Sequence, residues 1–134
     1  MKKSACVVFL LLATSVAATA KKFPVTAAAI VPATQGKVET GTDKNGNTKI
    51  KLKVEHLASP DRLSPPQNNY VLWLQERGGA AAENRGKLVM NKKLEGEFEA
   101  ITPLKNFDLF VTGEVDATAK APSGPEILRA TIQP

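Results

Sequence analysis

The sequence predicts an all-β fold, a single Ig-like or Greek-key β-sandwich of about seven strands. Three observations predict it. Tyr70-Val71-Leu72-Trp73-Leu74 is apolar on both faces and too short for an ordinary helix, the character of a central strand covered on both sides. In Thr48 to His56, Ile50, Leu52 and Val54 alternate with Lys49, Lys51, Lys53 and Glu55, the period of a half-buried strand. Turn signals recur roughly every 8–12 residues, and no helical periodicity interrupts them.

Taken in order, the chain opens with the basic Met1-Lys2-Lys3, the apolar run Val7 to Ala13 and the small-x-small triplet Ala18-Thr19-Ala20. These are the three regions of a secretory leader of bacterial type, expected over residues 1–20. A membrane anchor needs roughly 20 continuous apolar residues, whereas Thr14, Ser15 and Thr19 interrupt this run. Cleavage after Ala20 leaves 114 of the 134 residues and removes Cys6, the only cysteine, so no disulfide is expected. A chain of that length holds one hydrophobic core unaided, and one domain is expected. Loss of Lys2 and Lys3 lowers the formal charge from +5 to +3, too weak a bias to argue for nucleic acid.

Residues 21–33 form an N-terminal segment that admits either an edge strand or a frayed terminus, and residues 34–134 are assigned to the sandwich. Gly36 to Thr42 reads as a strand joined to Thr48–His56 through an Asn45-Gly46 turn of tight hairpin type. Leu57 to Asn69, with Pro60, Pro65 and Pro66, must be a surface connection. Glu76 to Arg85 is a second loop, followed by short strands over Gly86–Asn91 and Leu94–Ala100. In the latter, Leu94, Gly96 and Phe98 share one face and Glu95, Glu97 and Glu99 the other, until Pro103 stops it. Phe107–Glu114 is strongly β-prone, and Ile127–Ile132 closes the domain after Pro122-Ser123-Gly124-Pro125.

Tyr70-Val71-Leu72-Trp73-Leu74, the Gly86-Lys87-Leu88 strand with Gly96 following, and Phe110-Val111-Thr112-x-Glu114 with Pro122-Ser123-Gly124-Pro125 occur in the order seen in one family. Over roughly Lys49 to Ile132 the chain resembles the extracytoplasmic C-terminal domain of the anti-sigma-K factor family. It departs from that family in having Ser123 where Thr is usual. A leader also stands where the family has its sigma-binding domain and transmembrane helix. The resemblance therefore implies an exported sandwich module and carries no sigma-factor binding.

Sites with catalytic chemistry are hard to assemble from these residues. Asp43-x-Asn45-x-Asn47 has the first spacing of a calcium loop, but Thr48 and Val54 occupy its Gly and Glu positions, and a hairpin turn explains it. His56 is the only histidine, which excludes sites with several His ligands and suits a solvated surface side chain. It could serve a hydrolase only with Ser59, Asp61 or Ser64 of its own loop, where no Gly-x-Ser-x-Gly elbow exists. Gly79 to Gly86-Lys87 lacks the spacing and the hydroxyl of a phosphate loop. Glu95, Glu97 and Glu99, about 7 Å apart along a strand, have no apolar pocket to raise one pKa and read as a solvated face.

Lys49, Lys51 and Lys53 could meet an anionic polymer, but guarding an edge strand is the preferred account. Trp73, flanked by Leu72 and Leu74, is expected in the core, as the third-strand Trp of Ig-like folds is. The expected function is an exported, non-enzymatic interaction or sensing module of the bacterial envelope, monomeric, periplasmic or extracellular, without cofactor, metal or membrane span. The candidate interaction surface is Asp61, Arg62, Gln67 and Asn68 of one loop, Glu76 and Arg77 of the other, and Lys49, Lys51 and Lys53. Its partner would be an envelope protein or an anionic surface polymer, and not nucleic acid. A small envelope hydrolase using the His56–Ser64 loop and a self-assembling surface component are the alternatives.

Overall fold

The computed structural model describes residues 20–133; the expected leader, apart from Ala20, lies outside them. Ten strands are found among the described residues: β1 (Lys21–Pro24), β2 (Thr26–Ala27), β3 (Gln35–Thr42), β4 (Thr48–Glu55), β5 (Asn69–Glu76), β6 (Glu83–Lys87), β7 (Val89–Met90), β8 (Gly96–Thr102), β9 (Phe107–Glu114) and β10 (Glu126–Ile132). They build two antiparallel five-stranded sheets in the orders β1-β3-β4-β8-β7 and β2-β10-β9-β5-β6. The hairpins β3-β4 and β9-β10 each stay within one sheet, while β8 returns beside β4 and β9 returns beside β5. That return is the Greek-key connection of an Ig-like sandwich.

The alternation in β4 does what its pattern dictates. Ile50, Leu52 and Val54 are buried between the sheets with Val38 of β3, and they meet Tyr70, Leu72, Leu74, Leu109 and Val111 from the other sheet. Burying one such aliphatic side chain is worth about 1.5–3 kcal/mol, so this layer is the main source of stability. β5 is covered on both faces, as its unbroken apolar run requires. Tyr70, Leu72 and Leu74 point into the inter-sheet core, while Val71 and Trp73 point outward and form a second small cluster with Phe110.

Trp73 is therefore fully buried but not in the inter-sheet core where the Ig analogy places it. Strand alternation fixes this: once Leu72 and Leu74 face inward, Trp73 must face out. Its cover is the segment after β9, which brings Ala117 and Ala119 against the cluster, together with Ala82.

The strand count exceeds the expected seven because short strands escape composition. The N-terminal segment is an edge strand and belongs to the sandwich: β1 pairs with β3 (Phe23 opposite Val38), then the chain switches sheets and β2 pairs with β10 (Ala27 opposite Leu128). The expected Gly86–Asn91 strand is divided between sheets. β6 starts at Glu83 and pairs with β5 around a bulge, Leu88 crosses over, and β7 continues in the other sheet. β8 begins at Gly96 and reaches Thr102, so Leu94 and Glu95 lie in a turn rather than on its faces.

The β3-β4 turn also differs from the tight two-residue form. Asp43 N–H donates to Asn47 O, Gly46 N–H donates to Asp43 O, and Gly46 alone has positive φ, at 79°. This is a three-residue loop, a type I turn closed by a glycine in the left-handed region. Asp43 Oδ1 accepts N–H bonds from Asn45 (2.9 Å) and Asn47 (2.8 Å), so the carboxylate serves the turn. The Asn47 N–H bond is the chief cause of the lowered Asp43 pKa.

Candidate interaction surface

The register decides which loops are neighbours. Gln35 lies opposite Glu55, Val54 opposite Gly96 and Asn69 opposite Glu114, so the connections 28–34, 56–68, 91–95 and 115–125 all emerge at one end of the sandwich. The connections 43–47, 77–82 and 103–106 emerge at the other. The nine residues expected to form one surface are thus dispersed. Asp61, Arg62 and Asn68 are exposed at the first end, and Glu76 and Arg77 at the opposite end. Lys49, Lys51 and Lys53 lie on the solvated face of the first sheet.

Gln67 leaves the surface altogether: it is buried, lies with Leu63 over Gly113, and donates from Nε2 to Pro65 O (3.2 Å). The lysines do not guard an edge either, because β4 sits between β3 and β8. Lys51 faces Glu99 (3.7 Å) on one side and Glu39 on the other, and Lys53 faces Glu97 (3.8 Å). Lys53 also lies opposite Lys37, and Lys49 lies opposite Gly41 and Ile101, so the glutamates offset the charge of the stripe only in part.

At the loop-bearing end, the proline-rich connection is held in one shape. Pro60–Arg62 forms a 3₁₀ turn, Gln67 N–H donates to Pro60 O (2.9 Å), and Tyr70 Oη–H donates to Ala58 O (2.5 Å). Burial first, and the nearby Asp61 charge second, push the Tyr70 hydroxyl up to about 12. The 115–125 connection packs beside it, since Asn68 Nδ2 and Asn69 Nδ2 both donate to Val115 O (3.2 Å each). Asn84, aimed outward from the bulge in β6, donates to Ala117 O (3.0 Å) and Ala119 O (2.9 Å) and so straps the segment over Trp73.

The far half of that connection is held by Glu114, buried at 1% exposure. Its carboxylate accepts from Thr112 Oγ1 (2.5 Å), Ser123 Oγ (2.6 Å), Ser123 N (3.1 Å) and Gly124 N (3.0 Å), while Trp73 Nε1 donates to Thr112 Oγ1 (2.8 Å). Burial pushes the carboxyl pKa up, but these hydrogen bonds more than offset it and leave it below its ordinary value. Gly124 is required at its place, because a Cβ there would lie 1.6 Å from Gly113 O. The residues Trp73, Thr112, Glu114, Ser123 and Gly124 thus form one continuous hydrogen-bonded unit.

Two further residues at this end have left-handed backbone without being glycine: His56 (φ 56°) and Leu94 (φ 62°). They are adjacent, since Leu57 N–H donates to Leu94 O (3.1 Å) and Thr34 Oγ1 donates to His56 O (3.1 Å). Among the described residues, none of the hydrogen bonds joins the His56 ring to Ser59, Asp61 or Ser64, and no group of three His, Cys, Asp or Glu could hold a metal. Four of the five exposed large hydrophobics among those residues, Ile30, Val89, Leu94 and Val115, lie in or next to the connections of this end.

The anchoring of the 115–125 connection is what sequence reasoning missed. Its Pro-Ser-Gly-Pro turn was visible, but nothing in the sequence tied that turn to Glu114, or residues 115–119 to Asn68, Asn69 and Asn84. Fold and surface together define a Greek-key β-sandwich with one end of stapled loops. Neither known protein-family models nor curated proteins provide a match to the chain. No helix among the described residues is long and apolar enough to cross a membrane.

Proposed function

We propose that this chain is an exported, non-enzymatic interaction or sensing module of the bacterial envelope, acting as a monomer through the end where the 56–68 and 115–125 connections meet. The observation that carries this reading is the combination of fixed loops and exposed apolar side chains at that end. Loops pinned by Asn68, Asn69, Asn84 and Glu114 lose little entropy on binding. Val115 (65% exposed) and Ile30 (53%) offer apolar contact there. The leader pattern ending at Ala20 supports export, since Lys21 is the first residue of β1.

Guarded edges support the monomer. β1 carries Lys21, Lys22 and Pro24, and β6 is bulged and charged. Where β7 leaves β8 uncovered, Arg85 Nη2 donates to Ile101 O (3.0 Å). Each device disfavours strand addition by another copy.

The test is affinity capture from solubilised envelope by the exported chain and by a variant carrying Ile30→Asp with Val115→Asp, both at exposed positions. A protein partner retained by the parent and lost from the variant is the expected result, with N-terminal sequencing of the exported chain starting at Lys21. Equal retention by both, or retention of polysaccharide alone, would remove this assignment.

A further inference from the structure

The molecule contains two turns of one design. In the first, Asp43 Oδ1 accepts the N–H groups of Asn45 and Asn47, Gly46 N–H donates to Asp43 O (3.2 Å), and Gly46 has φ 79°. In the second, Asn91 Oδ1 accepts the N–H groups of Lys93 (2.9 Å) and Glu95 (3.0 Å), Leu94 N–H donates to Asn91 O (3.3 Å), and Leu94 has φ 62°. Leu94 stands where the first turn uses glycine. An L-residue with a Cβ is strained in that region, and leucine has no polar group to stabilise itself there as asparagine does.

The Leu94 side chain is 44% exposed, and the bond from Leu57 N–H reaches its backbone carbonyl, which glycine would present equally well. The neighbouring His56 is also left-handed and exposed. Strained backbone retained at an exposed position is an indication of function. Lys92 and Lys93 precede the leucine and are exposed, Glu95, half-buried, follows it, and Glu55 is exposed beside His56.

We propose that Leu94 is a recognition knob that inserts into an apolar pocket of a partner protein whose rim carries carboxylates opposite Lys92 and Lys93. The proposal rests on the interaction-module reading and specifies its surface and the chemistry of the partner. An apolar anchor surrounded by complementary charge is a common design of a protein interface.

The experiment places a photo-crosslinking amino acid at position 94 of the exported chain, with Val115 and the sheet-face residue Ile101 as separate control positions, and irradiates it in envelope extract. Position 94 should give a discrete protein adduct whose cross-linked segment is apolar and flanked by Asp or Glu, and Ile101 should give none. Lys92→Glu with Lys93→Glu should lower the adduct yield roughly tenfold, as reversal of rim charges slows association. Leu94→Gly, and Leu94→Asn as a second left-handed-tolerant variant, should unfold at the same urea concentration as the parent or a higher one. No adduct at 94 above the Ile101 level overturns the proposal, as does a clear loss of stability in both variants, which would make Leu94 a structural residue. An adduct at 115 without one at 94 overturns it while leaving the interaction-module reading standing.

Discussion

Replacing Glu114 by Gln tests the polar unit that fixes the 115–125 connection. The carboxylate accepts from four uncharged donor groups, two of them the backbone N–H groups of Ser123 and Gly124. Gln keeps the shape but puts an NH₂ on one branch, and either orientation turns it toward a backbone N–H that cannot rotate away. One buried donor left unsatisfied costs about 1–3 kcal/mol, and the remaining bonds fall from the charged range of about 1.5–3 kcal/mol to the neutral range of about 0.5–1.5 kcal/mol each. A neutral amide costs less to bury than a carboxylate, which offsets part of this, and the expected net loss is about 2–4 kcal/mol, a large part of the roughly 5–15 kcal/mol that holds a domain together. Urea unfolding of parent and variant at neutral pH, followed by far-UV circular dichroism, measures it. The acid dependence supplies a second arm. Because the folded pKa of Glu114 lies below its ordinary value of 4.5, its contribution is present above that pH and is lost as pH falls through the folded value. The parent should therefore lose more stability on acidification than the Gln variant. A loss below about 1 kcal/mol at neutral pH, with identical acid profiles, would refute the assignment of Glu114 as the clamp.

Two further outcomes are expected. Gly124→Ala should destabilise by about 3 kcal/mol or more, since the new Cβ has no room beside Gly113 O; a melting temperature equal to the parent's would contradict the close approach. Tyr70, the only tyrosine, should ionise near pH 12 by ultraviolet absorbance in the folded chain and near 10 in denaturant. Its contribution to stability is present below pH 10 and lost as the pH rises toward 12. A single midpoint near 10 in both states would mean that the hydroxyl is not enclosed.

The two central strands were legible because their signals are periodic and local. The β4 alternation and the β5 double-faced run identify their own burial, and both sheets are assembled around them. What the chain hides depends on pairing between distant residues. Nothing near Lys21 announces that its strand will change sheets at Val25, and nothing near Leu88 announces that it will cross over, because two-residue strands are too short to show a period. The lysines of β4 were visible as a solvated face, but whether that strand lay at an edge was a question of sheet order. Gln67 illustrates the same limit: a polar residue in a proline-rich loop reads as exposed until a distant glycine supplies room for it. Leu94 was legible as apolar but not as left-handed, since that follows from the Asn91 turn closing as the Asp43 turn does.

The sheet change between β1 and β2 also sets an order of events. β2 pairs with β10 through Ala27 opposite Leu128, so the beginning of the domain is completed by its end. A chain delivered N-terminus first, from a ribosome or through a translocation channel, cannot make that pair until Leu128 has emerged. Until then the flank of the sandwich stays open and native contacts of the longest sequence separation are missing, which delays completion of the fold. Delivery of the last strand is therefore the step that closes the molecule.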